Sequence, residues 1–169
     1  MEQQHSNATL RLVGGQLMEA RLKSLAEQAH GPHHMELVDT VNDVAYINDS
    51  KATFLDATLE SLGQMEGRVV WIVGDLSNEM TGSSVQDLIK EKVSAMIVFG
   101  RSAEAVERGG KAPVEHLYVA EELRTAVFLA NEIAHPTESV LFSPACPSGN
   151  GFANYEERGA EFKRAVRDL

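Results

Sequence analysis

The feature that most limits how this chain can fold is a regular alternation of apolar strands and helical segments along most of its length. Four strands are predicted, each followed by a helical segment, at 68–74, 95–100, 114–120 and 139–143. Continuous apolar runs such as "RVVWIVG" are typical of parallel strands that are covered on both faces. The alternation therefore predicts a layered α/β fold with a mostly parallel sheet flanked by helices.

Two further elements precede this unit. Residues 16–29 place Met18, Leu22, Leu25 and Ala29 at helical spacing, and Gly31-Pro32 ends that helix. Residues 35–49 indicate two short strands joined by a turn at Asn42-Asp43, which is a β-hairpin. We therefore predict two parts, an N-terminal helix within 1–30 and an α/β domain over 31–169.

Charge and composition restrict the partners of this chain. Its net charge of -10 disfavours a nucleic-acid backbone, because acidic surfaces repel phosphate. Its apolar runs are shorter than the roughly 18 residues that a membrane span needs, and the first residues lack a signal-peptide core. The single cysteine, Cys146, fits a reducing compartment. We expect a soluble cytoplasmic protein with neither a nucleic acid nor a membrane as partner.

Polar residues follow the predicted strands where ligands bind in α/β sheets, at the carboxyl ends. Asp49, Asp75, Arg101 and Ser143 are predicted to lie along one edge of the sheet. Taken alone, each of them is better explained as a turn or helix-cap residue. The loops "INDSK" (47–51) and "SPACPSGNGF" (143–152) are denser in polar groups than caps require, so they are the predicted site.

Lys51 is the residue of "INDSK" that a cap does not explain. A lysine in the first turn of a helix opposes the helix dipole unless it meets an anion. A carboxylate or phosphate bound there would use both the lysine and the free amides. Lys51 is therefore predicted to contact an anionic ligand.

Several common motifs are missing or incomplete. The sequence contains neither a GxxxxGK[ST] phosphate loop nor a GxGxxG dinucleotide fingerprint. The spacing of His30, His33 and His34 matches no usual metal site, and Pro32 interrupts the helix that would align them, so no metal is expected. Cys146 is interpreted as a structural thiol rather than a nucleophile.

Three segments together resemble a known family. "INDSKAT" (47–53), "SPACPS" (143–148) and "FANYEERGAEFK" (152–163) are similar, in this order, to the C-terminal domain of the Mur ligases, above all the UDP-N-acetylmuramoyl-L-alanine:D-glutamate ligases of peptidoglycan synthesis. The resemblance covers about residues 16–168, and its first helix resembles the tail of the central domain of that family. It implies a Rossmann-like three-layer domain that carries the incoming amino acid and closes over ATP.

The resemblance also implies roles for individual residues. The implied catalytic residue is Lys51, facing the phosphates and the reacting groups. The implied nucleotide-binding residues are His33, Asn48 and Asp49. The implied amino-acid-binding residues are Thr53, Ser148 and Tyr155. ATP and magnesium would bind only in the context of a P-loop ligase domain, which another chain could supply.

Two departures from the family pattern leave two interpretations open. His34 stands where arginine is usual, and no basic residue occurs from Asp75 to Gln86, where relatives carry a lysine that binds the amino-acid carboxylate. The chain is either the amino-acid-binding domain of a D-glutamate-adding ligase, inactive by itself, or a free-standing module. Such a module would bind a nucleotide, a muropeptide precursor or a partner protein without catalysis.

Overall fold

The structure is a computed structural model, and it describes residues 31–74, 80, 82–101, 103–108, 112–149 and 151–169. The helix predicted at 16–29 and the residue Asp75 lie outside the described residues.

The described residues form one six-stranded sheet with helices on both faces. The strands are β1 (Glu36–Val41), β2 (Val44–Asn48), β3 (Val69–Val73), β4 (Val93–Phe99), β5 (Leu117–Ala120) and β6 (Ser139–Phe142). The helices are α1 (Leu55–Gln64), α2 (Ser83–Lys92), α3 (Ala103–Arg108), α4 (Leu123–Ile133) and α5 (Tyr155–Arg167). The strand order is β1-β2-β6-β3-β4-β5, and all neighbours from β2 onward in this order pair in parallel. The predicted three-layer α/β fold is confirmed.

The hairpin that precedes the parallel strands is also confirmed. β1 pairs antiparallel with β2, and Val41 lies opposite Val44. The two residues between them, Asn42 and Asp43, have φ angles of 51° and 63°. A two-residue turn with positive φ at both positions matches the right-handed twist of the strands, and Asn and Asp tolerate it better than most residues.

β3 shows how the core is divided between the two faces of the sheet. Val70 and Ile72 pack into the cluster beneath α4 and α5, whereas Trp71 and Val73 pack into the cluster beneath α1 and α2. All five residues of β3 are buried, as the continuous apolar run predicts for a central strand covered twice. The Trp71 indole Nε1 donates to the Ser143 carbonyl at 2.7 Å, which ties the core to the end of β6.

The order of the strands creates a crevice at their carboxyl ends. The chain runs from β3 to β4 to β5 on one side, and then α4 returns it to β6, on the other side of β3. The helix after β3 covers one face and the helix after β6 covers the other, so the two loops diverge. Ligands in open α/β sheets bind at such switch points.

The start of α1 differs from the prediction, and this difference changes the position of Lys51. The helix predicted to start at residue 52 starts at Leu55, because Phe54 is extended, with φ -152° and ψ 161°. Lys51 therefore lies in a turn before α1 and not in its first helical turn, so the placement of Lys51 against the helix dipole was wrong. In the ranges that the structure covers, no helix is long and apolar enough to cross a membrane.

Candidate functional site

The two polar loops predicted as the site do lie side by side. We call residues 49–54 the β2–α1 loop and residues 143–154 the β6–α5 loop. The Asp49 amide donates to the Phe142 carbonyl at 2.8 Å, and the Ala145 amide donates to the Ala52 carbonyl at 3.1 Å. Since β2 and β6 are adjacent parallel strands, their carboxyl ends bring the loops together at one edge of the sheet.

Asp49 is a fully buried carboxylate that joins three parts of the chain. Its Oδ2 accepts from the Ser143 hydroxyl at 2.7 Å, and its Oδ1 accepts from the Met35 amide at 3.2 Å. The His34 ring Nδ1 also lies 3.2 Å from Oδ1. These partners hold the ends of β2 and β6 and the segment before β1 in a fixed arrangement. The predicted proximity of Asp49 and Ser143 is confirmed.

Asn48 and His33 lie on the inner side of the same loop. The Asn48 amide nitrogen donates to Glu36 Oε2 at 2.9 Å and lies 3.0 Å from His33 Nδ1. Because the amide nitrogen is a donor, this contact makes Nδ1 the acceptor and leaves the ring proton on Nε2. Burial and the nearby charge of Lys163 lower the pKa of His33, which keeps that neutral form.

Glu36 completes this inner cluster. Its carboxylate accepts from the His33 amide at 3.0 Å and from the Lys163 ammonium at 3.0 Å. Burial by itself would raise the pKa of Glu36, but the hydrogen bonds from His33, Lys163 and Asn48 outweigh it and lower the pKa. A negative charge is therefore held beneath the β2–α1 loop.

Arg158 was not predicted as a site residue from the sequence, although it lies in the motif "NYEERG". Its side chain is 1% exposed and donates to the Ser50 hydroxyl, at 3.2 Å, and the Ser50 carbonyl, at 2.9 Å. The same guanidinium donates to the carbonyls of Cys146, at 3.1 Å, and Pro147, at 3.2 Å. Burial lowers the pKa of Arg158. Arg158 thus fastens the two candidate loops to each other from beneath.

The remaining predicted site residues lie at the surface of these loops. Lys51 is exposed, and within the described ranges its ammonium has no carboxylate partner, although its backbone amide donates to the His33 carbonyl at 3.0 Å. Thr53 and Ser148 are half-buried, as is Tyr155. The Tyr155 ring meets the His33 ring edge-on at 6.1 Å, and a hydrogen bond with Glu156 raises the pKa of the phenol.

Two of the cavities that open at this edge of the sheet are lined by the β2–α1 loop or by residues 146–149 of the β6–α5 loop. The first, about 240 Å³, is called the Lys51 pocket and is lined by His34, Asp49, Lys51, Ala52, Phe54, Ala57, Glu60 and Ser61. The second, about 590 Å³, is called the switch-point crevice and is lined by Gly74, Gly100, Arg101, Ala105, Cys146, Pro147 and Gly149. Among the residues that the structure describes, no group of histidine, cysteine or acidic side chains could hold a metal ion.

The structure thus divides the residues of the predicted nucleotide site. Asp49 and Lys51 line the Lys51 pocket, together with His34. His33 and Asn48 instead lie inward and bind Glu36. The sequence could not separate the pocket-lining residues from the inward-facing ones. All of them are polar, and all lie either at the end of β2 or in the segment just before β1.

Sequence similarity relates this chain to known proteins. The model of a family described as "Mur ligase, glutamate ligase domain" matches residues 33–146. This chain belongs to the Mur ligase family. A UDP-N-acetylmuramoylalanine–D-glutamate ligase from Salinibacter ruber is 39% identical over 171 residues, and one from Christiangramia forsetii is 35% identical over 167.

These similarities cover 96% of this chain but only 36% and 38% of those two ligases, so the chain spans little more than a third of their length. A solved domain of a putative UDP-N-acetylmuramate:L-alanyl-γ-D-glutamyl-meso-diaminopimelate ligase from Haemophilus ducreyi is 13% identical. The similarity covers 78% of this chain and 98% of that domain, with a TM-score of 0.46.

Proposed function

We propose that this chain is the C-terminal, substrate-binding domain of an ATP-dependent amide ligase that adds D-glutamate to UDP-N-acetylmuramoyl-L-alanine. The observation that carries the proposal is the position of Lys51. Its ammonium is exposed at the wall of a pocket, beside the fixed Asp49 carboxylate, and it has no carboxylate partner in the described ranges. A free cation held on a rigid loop is suited to a ligand that carries negative charge.

The chemistry of such a ligase explains what Lys51 would do. ATP transfers its γ-phosphate to the carboxylate of the acceptor and leaves as ADP. The amine of D-glutamate then attacks the acyl phosphate, and an amide forms as inorganic phosphate and the amine proton leave. In this proposal, negative charge on the transferred phosphate and on the attacked carbonyl oxygen develops beside Lys51, whose preorganised ammonium would stabilise it. In this proposal Lys51 is the catalytic residue, and Thr53, Ser148 and Tyr155 surround the amino acid.

Asp49 retains the capacity to bind a ribose hydroxyl in this proposal. An ionised carboxylate offers about four lone-pair positions, and three groups already contact the Asp49 oxygens. In this proposal the remaining position accepts one hydrogen bond from the ligand at the wall of the Lys51 pocket, which Asp49 lines. His33 and Asn48 would support the nucleotide from beneath, by holding the loop, rather than by direct contact.

Parts of the reaction must come from outside these 169 residues. The sequence contains no P-loop, so the triphosphate and its magnesium would be held by a P-loop ligase domain, which we propose as the partner. We expect the 169-residue chain alone to form no ADP from ATP in the presence of D-glutamate and the acceptor. The cytoplasm, where ATP and nucleotide-linked precursors are available, is the proposed location.

A second function is favoured by one observation. The segment from Asp75 to Gln86 contains two acidic residues and no basic one, so it offers no cation to an amino-acid carboxylate. A chain that has lost this contact fits a non-catalytic module that binds a nucleotide, a muropeptide precursor or a partner protein. The two functions differ in whether D-glutamate binds.

Calorimetric titration tests both functions. The full chain is titrated with ADP and magnesium, with D-glutamate, and with UDP-N-acetylmuramoyl-L-alanyl-D-glutamate. The first function predicts that D-glutamate binds, and that ADP and the product bind with affinities weakened at least about tenfold in Lys51→Ala. The non-catalytic module predicts that D-glutamate does not bind. Lys90→Ala removes a lysine charge from the last turn of α2 and should bind as the wild type does.

A chimera tests catalysis directly. The full chain replaces the matching segment of the Salinibacter ruber ligase, and formation of phosphate that depends on D-glutamate is measured. Activity that is lost in Lys51→Ala supports the ligase function. A folded chimera that binds the product but makes no amide would favour the non-catalytic module, and equal activity with and without Lys51 would contradict its catalytic role.

A further inference from the structure

The segment that precedes β1 is held against the β2–α1 loop in an unusual backbone conformation. His33 and Met35 have φ angles of 63° and 46°, which are uncommon for residues other than glycine. The His33 carbonyl accepts from the Lys51 amide at 3.0 Å, so this segment also positions Lys51. A backbone conformation of this kind costs free energy and persists only while the surrounding contacts hold it.

The Asn48 side-chain amide is fixed in one orientation. Its oxygen accepts from the Ser50 amide at 3.2 Å, and its nitrogen donates to Glu36 Oε2 at 2.9 Å. Turning the amide over would bring its oxygen to the Glu36 carboxylate and its nitrogen to the Ser50 amide, so both hydrogen bonds would be lost. The nitrogen is therefore the atom that lies 3.0 Å from His33 Nδ1, and Nδ1 must accept.

The His33 ring is also packed on its other sides. The Tyr155 ring meets it edge-on, with 6.1 Å between the ring centroids. A Cβ at Gly159 would overlap the ring, so glycine at this position of α5 leaves the space that the ring occupies. Turning the ring over in place would face Asn48 with a C–H group, which accepts no hydrogen bond. The contact with Asn48 therefore requires an unprotonated Nδ1.

Charged and titratable groups from two elements surround the His33 ring. Among the described residues, β1 contributes Glu36 and α5 contributes Tyr155, Glu156 and Lys163. Burial and then the Lys163 charge lower the pKa of His33, whereas the charges of Glu36 and Glu156 raise it. The pKa as a whole is lowered from 6.5, so this arrangement, which we call closed, resists protonation.

We propose that His33, Asn48 and Glu36 form a proton-sensitive latch on the β2–α1 loop. While Nδ1 is unprotonated, Asn48 holds the Ser50 amide and the His33 carbonyl holds the Lys51 amide. A proton on Nδ1 would place two N–H donors face to face. Either the Asn48 amide then turns and releases Ser50, or the His33 ring leaves, the strained backbone relaxes and its carbonyl releases Lys51. The latch acts on the loop itself and does not depend on the ligase function.

The direction of the pH effect follows from proton binding. With the loop open, His33 takes up a proton near its ordinary pKa of 6.5, whereas with the loop closed it does so only at lower pH. The open state therefore binds more protons between these two values. The closed arrangement has its full stability above pH 6.5 and loses stability as pH falls below 6.5 towards the folded pKa.

Nuclear magnetic resonance of the full chain without ligand tests the latch. ¹⁵N spectra of the His33 ring identify the protonated nitrogen, and hydrogen exchange, corrected for its intrinsic rate at each pH, reports amide protection. We expect the ring proton on Nε2 at about pH 7.5, and we expect Ser50 and Lys51 to lose protection with the midpoint of His33 protonation. The Asp49 amide, which donates to the Phe142 carbonyl, should stay protected.

Three results would overturn the proposal. The first is a proton on His33 Nδ1 at about pH 7.5. The second is unchanged protection of Ser50 and Lys51 while His33 becomes protonated. The third is an equal loss of protection at Asp49, because acid would then unfold the edge of the sheet and not open the loop.

Substitutions separate the proton from the packing. His33→Asn keeps an acceptor at the position of Nδ1, tolerates a positive φ and takes up no proton, so Ser50 and Lys51 should stay protected at acidic pH. His33→Ala removes the acceptor, and both amides should exchange faster at every pH. His135→Asn, at an exposed histidine, is the matched control and should keep the pH dependence of the wild type. Thermal unfolding establishes that each variant is folded, and a wild-type pH dependence in His33→Asn would contradict the latch.

The latch also predicts a pH dependence of ADP binding, and this consequence rests on the ligase function. ADP with magnesium is titrated calorimetrically at about pH 7.5 and about pH 5.5 into the wild type and His33→Asn, so that protonation of the phosphates is common to both. Between these values the wild type should lose at least about threefold more affinity than His33→Asn.

Failure of the latch can be separated from failure of the ligase function. If Ser50 and Lys51 lose protection with His33 protonation while ADP binds at neither pH, the latch stands and the ligase function is wrong. If ADP binds and depends on Lys51 while both amides stay protected at acidic pH, the latch is wrong and the ligase function stands.

Discussion

The polar residues of the candidate site form two layers with opposite properties. The inner layer comprises Asn48, Asp49, Ser50 and Arg158, all with at most 1% of their surface exposed and all hydrogen-bonded within the protein. The outer layer comprises Lys51, Thr53 and Ser148, which are half-buried or exposed. A polar motif is therefore not one functional unit, since its inner layer builds the loop, with Asp49 alone of that layer also lining the Lys51 pocket, and its outer layer faces the ligand.

The division leads to opposite expectations for substitutions a few residues apart. Buried polar groups that lose a partner leave unsatisfied acceptors and destabilise the fold. Exposed groups without partners can be removed with little effect on stability, so their loss is visible in binding alone. Substitutions in each layer can test this division, beginning with the largest expected effect.

Arg158→Ala should give the largest loss of stability. It leaves the carbonyls of Ser50, Cys146 and Pro147 without their donor in a buried region. We expect the free energy of unfolding in urea to fall by about 3 kcal/mol or more. Arg164→Ala is the control, because that arginine is 65% exposed and should change stability by less than about 0.5 kcal/mol. Similar losses in both variants would mean that the inner layer is not a special structural unit.

Gly159→Ala and Gly63→Ala should change stability in opposite directions. A Cβ at Gly159 would overlap the His33 ring and lie 3.1 Å from the Asn48 amide nitrogen, so the His33 ring must shift and its contact with Asn48 is disturbed. The expected loss is about 1 kcal/mol, after the gain in helix propensity is included. At Gly63 nothing lies within 4 Å of the added Cβ, and a gain of up to about 1 kcal/mol is expected. Thermal unfolding distinguishes these signs, and a stabilised Gly159→Ala would show that His33 can be displaced freely.

The contacts of the candidate site show which features could be predicted from the sequence and which could not. Local patterns predicted the hairpin, since the Asn42-Asp43 turn and the flanking apolar residues lie within a few positions of one another. The parallel order of strands also placed Asp49 and Ser143 on one edge, although they are 94 residues apart. Neither pattern could show that Arg158 binds Ser50, 108 residues away.

The start of α1 was misjudged for a related reason. "SKATFLDATL" continues the helical spacing of apolar residues back to Ala52, so periodicity favours an earlier start. In the folded chain the Ala145 amide donates to the Ala52 carbonyl, which holds this segment in the loop. A contact with a distant loop therefore overrides the local preference, and it places Lys51 outside the helix.

The inner layer should also make stability depend on pH through Glu36. The pKa of Glu36 is lower in the folded chain than its ordinary value of 4.5, so its stabilising effect is present above pH 4.5 and is lost as pH falls through the folded pKa. Glu36→Gln should be less stable than the wild type at about pH 7, and the difference in urea unfolding should shrink below pH 4.5. Lys163→Gln removes one cause of the lowered pKa and should reduce the same difference. A difference that stays constant down to about pH 3 would contradict the expected direction.

Lys51→Ala should have the smallest effect on stability and the clearest effect on binding. The side chain is exposed and makes no ion pair with the described residues, while its backbone contact with His33 is kept by any residue. We expect the free energy of unfolding to change by less than about 0.5 kcal/mol. Affinity for ADP, measured on the same preparation, should fall, because the ammonium faces the pocket and not the core. A Lys51→Ala variant that loses stability as well would show that Lys51 helps to build the loop. The division between loop-building and ligand-facing residues would then be wrong for the proposed catalytic residue.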